Sequence, residues 1–118
     1  MEKIMKSLLV TAPIVPGKLD AWRRFVAAVL GERREAYETA IREGGLTRLR
    51  VWHHRGPAGA DTAVVQYDGS APERFLERIM TATDDFAKWF RAQGAECHGF
   101  GPSSPPPPPP ELVVDVSV

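Results

Sequence analysis

Arg50, Trp52 and His54 stand at alternate positions within Leu46–Asp68, LTRLRVWHHRGPAGADTAVVQYD, and together they hold the parts of a small-molecule site. An indole stacks on a planar ligand, a guanidinium fixes an anionic or carbonyl oxygen, and an imidazole exchanges a proton near neutral pH. The segment reads as two strands around a Gly-Pro-Ala-Gly turn. On the first of them, alternation puts Arg48, Arg50, Trp52 and His54 on one face and Leu49 and Val51 on the other. His54 would then act as acid or base and Arg50 as oxyanion partner, with Trp52 and Tyr67 as ligand contacts. Phe86 and Trp89 are foremost core residues between helices and sheet that could also line a pocket there. The competing role is structural: Trp52 packs in an interface between two copies while Arg50 and His54 hydrogen-bond across it. The turn does not fix the hairpin register, so a shared face for His54 and Tyr67 stays open.

Other reactive residues are less suited to chemistry. His53 faces away from His54, which makes the pair a poor chelate, and no metal site is expected. Cys97-His98 places a thiol beside an imidazole that could lower its pKa, but adjacency in sequence does not supply the geometry, and no third orienting group is evident. Asp84 and Asp85 sit where helix-start carboxylates serve as caps. P-loop, GxGxxG, HExxH and GxSxG patterns are missing, so nucleotide-binding, zinc-protease and serine-hydrolase readings lack their minimum parts. No cofactor is implied.

The elements that must position these residues follow from periodicity and punctuation. Ser7–Pro13 is β-capable, and Pro16-Gly17 marks its exit. From Lys18, Leu19, Trp22, Phe25, Val26, Val29, Leu30, Ala36, Tyr37, Ala40 and Ile41 recur at spacings of three and four, one stripe of a long helix that Gly31 bends and Gly44-Gly45 stops. After the hairpin, Ser70 and Glu73 match a capping box for a helix over Pro72–Met80. Thr83-Asp84-Asp85 opens another, with Phe86, Trp89 and Phe90 as its apolar face and Gly94 as its stop. Pro105–Pro110 would form a polyproline II rod, either a docking ligand or a stiff connector to a last strand, Glu111–Val118. The connector is preferred, because so β-rich an ending is rarely left unpaired.

Length and charge exclude several classes. A chain of 118 residues supports one hydrophobic core, so 1–118 is expected to be a single domain, with a proline-rich connector over 102–110 and a C-terminal strand over 111–118. Fifteen basic and fifteen acidic side chains cancel without a basic run, which argues against nucleic acid as a partner. The apolar run Phe25–Leu30 is far short of the roughly 18–20 residues needed to span a bilayer, so no membrane is expected. One cysteine permits no internal disulfide, in keeping with a reducing, cytoplasmic setting. The lack of asparagine and the preference for Arg over Lys hint at a GC-rich bacterial genome.

With Glu111–Val118 as fourth strand, the order βαββαβ is the ferredoxin-like plan: α+β, an antiparallel four-stranded sheet, helices on one face. The long first helix, the RVWHHR and VVQYDG strands, the split second helix with DDFAKWFR and the proline-rich run into a closing strand resemble the dimeric α+β barrel superfamily. Its members include antibiotic-biosynthesis monooxygenases, EthD-like proteins and muconolactone-isomerase-like enzymes, and the likeness is greatest to bacterial members without an assigned activity. Haem-degrading members use an Asn-Trp-His constellation, which a chain without Asn cannot assemble. The resemblance implies a homodimer with a pocket between sheet and helices. It leads to two expectations: a small-molecule-binding homodimer without an assigned activity, or a cofactor-independent monooxygenase- or isomerase-like enzyme on a small aromatic or polyketide-like substrate. The chain itself is the expected protein partner.

Overall fold

A computed structural model describes residues 5–101 and 103–118 of the chain. β1 (Lys6–Pro13) is followed by α1 (Leu19–Leu30), α2 (Arg34–Glu43), β2 (Leu46–Arg55), β3 (Asp61–Gly69), α3 (Pro72–Thr81) and α4 (Asp85–His98). The stripe expected to form one long helix forms two. At Gly31 the backbone leaves helical geometry, and the N–H groups of Gly31 and Arg33 both close on the Ala28 carbonyl. α2 stops as expected at Gly44, and Gly45 takes φ +77°, a left-handed conformation that glycine adopts without a Cβ penalty.

The two helix starts after the hairpin differ. Asp84 caps α4, its Oδ2 accepting from the Ala87 N–H at 3.1 Å. The Ser70/Glu73 capping box does not form: Ala71 is the N-cap of α3 and no side chain caps it. Pro72 begins that helix instead, with its φ already set and no N–H to leave unpaired. α4 also runs past Gly94 to His98, because the buried Cys97 holds its last turn in the core, and it ends at Gly99 with φ +73°.

The sheet has the order β1-β3-β2, with both pairings antiparallel. This overturns the expected four-stranded ferredoxin-like sheet and the dimeric α+β barrel built from it; the chain is α+β with a three-stranded antiparallel sheet and four helices among the described residues. Glu111–Val118 is extended but pairs with no strand, and Leu112, Val113 and Val114 remain 75%, 80% and 72% exposed. The reason lies upstream. Pro105–Pro110 has no N–H to join a ladder and no soft φ with which to turn, so it carries the tail off the domain. Pro102, the first residue of the expected connector, lies outside the described residues.

All four helices lie over one face of the sheet. Leu8, Val10, Leu49, Val65 and Tyr67 meet Phe75, Leu76, Ala40 and Ile41 there. Ala12 and Ala63 continue that layer against Trp22, Ala21 and Cys97. Phe86 and Ala87 join α4 to Ile79 of α3, with Tyr37, Trp89 and Phe90 packed around them. No helix among the described residues is long and apolar enough to cross a membrane.

Candidate functional site

The hairpin register decides which candidate residues meet. Arg48, Arg50, Trp52 and His54 of β2 stand opposite Asp68, Gln66, Val64 and Thr62 of β3, and on the other side of β3 these face Ser7, Leu9, Thr11 and Pro13 of β1. This face carries no helix. The expected alternation on β2 is realised, and Arg50, Trp52 and His54 share the open face.

Tyr67 does not join them. It stands opposite Leu49, on the helix-covered face, 6% exposed with its ring 5.5 Å from that of Phe75. Burial pushes its phenol well above the ordinary range. Phe86 and Trp89 also lie under the helices, their ring centroids 5.7 Å apart. The Arg33 guanidinium sits 4.5 Å above the Trp89 ring, and Tyr37, its hydroxyl raised to about 12 by burial, packs on Phe86 and Phe90. The six candidate residues therefore form two groups separated by the sheet: Arg50, Trp52 and His54 outside, Tyr67, Phe86 and Trp89 inside.

On the open face the side chains are already organised. The Ser7 hydroxyl donates to Asp68 Oδ1 at 2.6 Å, and Gln66 Nε2 donates to the same oxygen at 3.1 Å. Gln66 Oε1 in turn accepts from Arg50 Nη2 at 3.1 Å. The Ser7 hydrogen bond chiefly, with Gln66 and the nearby Arg50 and Arg48 cations, holds the Asp68 carboxyl below its usual pKa. That chain of contacts orients the Arg50 guanidinium 5.2 Å over the Trp52 ring. Arg50 Nε is shielded from solvent yet has no acceptor among the described residues, and a shielded donor left unpaired is costly. Trp52 is 44% exposed beside it.

A second acid–base arrangement lies on the helix-covered side, where the sequence suggested only a structural histidine. His53 Nε2 is 2.7 Å from Asp61 Oδ1, and Arg55 Nε is 3.7 Å from the same oxygen. The His53 ring leans on Trp22 at 5.5 Å. The pair is diagonal across the hairpin, since His53 stands opposite Ala63 and Asp61 opposite Arg55. The signal was therefore present in the sequence as an acid two residues before Ala63, readable only with the register.

Cys97 and His98 diverge. The Cys97 thiol is buried and burial raises its pKa, the reverse of nucleophile activation. His98 is half-buried, its Nδ1–H donating to the Pro13 carbonyl at 2.8 Å and its ring stacked on Phe100. Among the described residues no group of His, Cys, Asp and Glu is arranged to hold a metal ion. A cavity of about 620 Å³ is an open groove between α2, α3 and the start of α4 that includes Phe86 and is rimmed by Glu32, Glu35 and Asp84. It is well separated in kind from the open sheet face, which presents a donor, a ring and an imidazole on a rigid strand. No protein-family model, curated protein or solved structure matches this chain.

Proposed function

We propose that this chain works as a homodimer that binds a small planar molecule bearing an anionic or carbonyl oxygen on the open face of its sheet. One observation carries the reading: the Arg50 guanidinium, stacked on a half-exposed Trp52, holds a shielded Nε–H without an acceptor. A ligand oxygen that displaces the side chains covering Nε would satisfy that donor while the ligand's ring lies against the indole. The Ser7–Asp68–Gln66 chain keeps the guanidinium in place before the ligand arrives, which lowers the ordering cost of binding. A second copy closes the site, covering Leu9 and Trp52, which are 40% and 44% exposed on this face.

Binding is tested by titrating the protein with aromatic carboxylates and aromatic ketones while following tryptophan emission. Saturable quenching in the micromolar to millimolar range is expected, with affinity reduced at least tenfold in Arg50→Ala and the quenching signal largely removed in Trp52→Phe. Absence of saturable binding across the panel, or binding indifferent to both substitutions, refutes the reading.

His54 supports a second reading, a cofactor-independent enzyme. It lies two residues from Trp52 on the same face and makes no side-chain hydrogen bond among the described residues, which leaves its imidazole free to move a proton. Loss of turnover with retained binding in His54→Ala would favour this reading; a bound ligand that is never converted favours the binder.

A further inference from the structure

The Glu111–Val118 tail and the outer edge of β2 complement each other residue by residue. The tail alternates Glu111, Val113, Asp115 and Ser117 with Leu112, Val114, Val116 and Val118, so as a strand it has an acidic side and an apolar side. The β2 edge, which has no strand beyond it among the described residues, alternates Arg48, Arg50, Trp52 and His54 with Leu49, Val51 and His53. Val51 and Trp52, one on each face, are 43% and 44% exposed there.

We propose that Glu111–Val118 of one chain adds as an antiparallel strand to the outer edge of β2 in a second copy, with Asp115 opposite Arg50, Val113 opposite Trp52 and Glu111 opposite His54. The same register sets Val114 against Val51 and Val116 against Leu49 on the helix side, and it keeps all eight tail residues within Leu46–Arg55. Both acids then meet basic side chains, and the valines cover the two exposed apolar residues of the edge. A parallel arrangement centred on the same Val113–Trp52 pair would put Val116 against Arg55 and run the tail past the end of β2. A one-residue slip in either direction would turn the acids to the apolar side.

The partner we assign is a second copy, because the tail leaves the domain beside β1 and pairs with neither edge of its own sheet. The end of α4 is tied beside the exit of β1, with the Val15 N–H donating to the Cys97 carbonyl at 2.9 Å and His98 bound to the Pro13 carbonyl. β2 lies on the far side, across β3. Six prolines in polyproline II geometry then add a straight span of about 19 Å that cannot double back. In the single chain the tail pairs with nothing, and its apolar residues stand in solvent. A reciprocal exchange covers both tails and both β2 edges at once, and sets the partner's Val113 and Asp115 against Trp52 and Arg50, so that the tail and a ligand compete for that site. This deepens the homodimer reading above and rests on it.

Two variants test it in the full chain. Val51→Cys combined with Val114→Cys should form an intermolecular disulfide on mild oxidation, converting more than half of the 13.0 kDa chain to a covalent dimer. The offset pair Val51→Cys with Val113→Cys, whose side chains would point to opposite faces, should give at least fivefold less. Equal cross-linking of both pairs, or none of either, overturns the register. Independently, Glu111→Lys with Asp115→Lys should weaken dimerisation at least tenfold by sedimentation. Dimerisation unchanged in that variant overturns the tail exchange while leaving ligand binding at Arg50 and Trp52 untouched; loss of ligand binding with the cross-link intact would do the reverse.

Discussion

At the scale of single residues, the sequence conveyed side-chain direction along β2 and little about what lies across from it. Arg50, Trp52 and His54 share a face because strand geometry has a period of two, which needs no knowledge of the partner strand. Tyr67 depends on the turn. The Gly56 N–H bonds to the Ala60 carbonyl at 2.7 Å, which sets Arg55 opposite Asp61 and therefore Tyr67 opposite Leu49. One residue more or less on a single strand would bring the tyrosine to the open face, opposite Arg48 or Arg50. His98 shows what position alone can do to a side chain of unremarkable sequence context. Burial, only partly opposed by its bond to the Pro13 carbonyl, lowers its pKa in the folded state. The unfolded chain therefore takes up a proton first, near pH 6.5, and the stabilisation from this residue is complete above that pH and is lost as pH falls through the lower folded value. His98→Gln, which keeps a side-chain donor but no titration, should flatten the dependence of the melting temperature on pH between about 7 and 5. A wild-type curve and a variant curve that run parallel across this window would refute the assignment.

At the scale of elements, the sequence placed the strands and helices of the domain but misjudged how several of them begin and end. Ser70 and Asp84 are both good N-cap residues followed by helices, and only Asp84 caps one. The difference is Pro72: with the first helical position fixed by the proline ring, α3 begins after Ala71 and leaves Ser70 one residue too early. A pattern of residue types cannot show that displacement. The two sites should separate in a stability measurement. Asp84→Ala removes a bond to the Ala87 N–H and is expected to cost about 1 kcal/mol by chemical denaturation, within the usual range for cap removal. Ser70→Ala touches no cap and should stay within about 0.5 kcal/mol of the parent. Equal costs at the two positions would contradict the helix boundaries described above. The same gap between pattern and context explains the break at Gly31 and the extension of α4 through Gly94: the apolar stripe is continuous in each case, and tertiary packing decides where the helix is interrupted or continued.

At the scale of the whole molecule, the largest departure from expectation is the tail, and it has a physical origin. Residues 111–118 have the composition of a strand, and composition is what the sequence offers; whether a strand finds an edge depends on where the preceding chain delivers it. Pro105–Pro110 delivers it away from its own sheet, so a β-capable, apolar segment stands without a ladder and two sheet edges stand without a neighbour. Under the exchange of tails proposed above, association lowers the free energy of the chain and ties the stability of the fold to its concentration. If two chains unfold from one dimer, mass action requires the melting temperature to rise with protein concentration. The wild-type protein should therefore melt several degrees higher at about 200 μM than at about 2 μM, since a hundredfold change in concentration corresponds to about 2.7 kcal/mol per mole of dimer. Val114→Asp, which puts a charge on the apolar side of the tail and touches nothing inside the domain, should remove that dependence while leaving the far-ultraviolet circular dichroism of the folded chain intact. A melting temperature independent of concentration in the parent protein would show that the chain folds and remains alone, and that its exposed valines have no partner in a second copy.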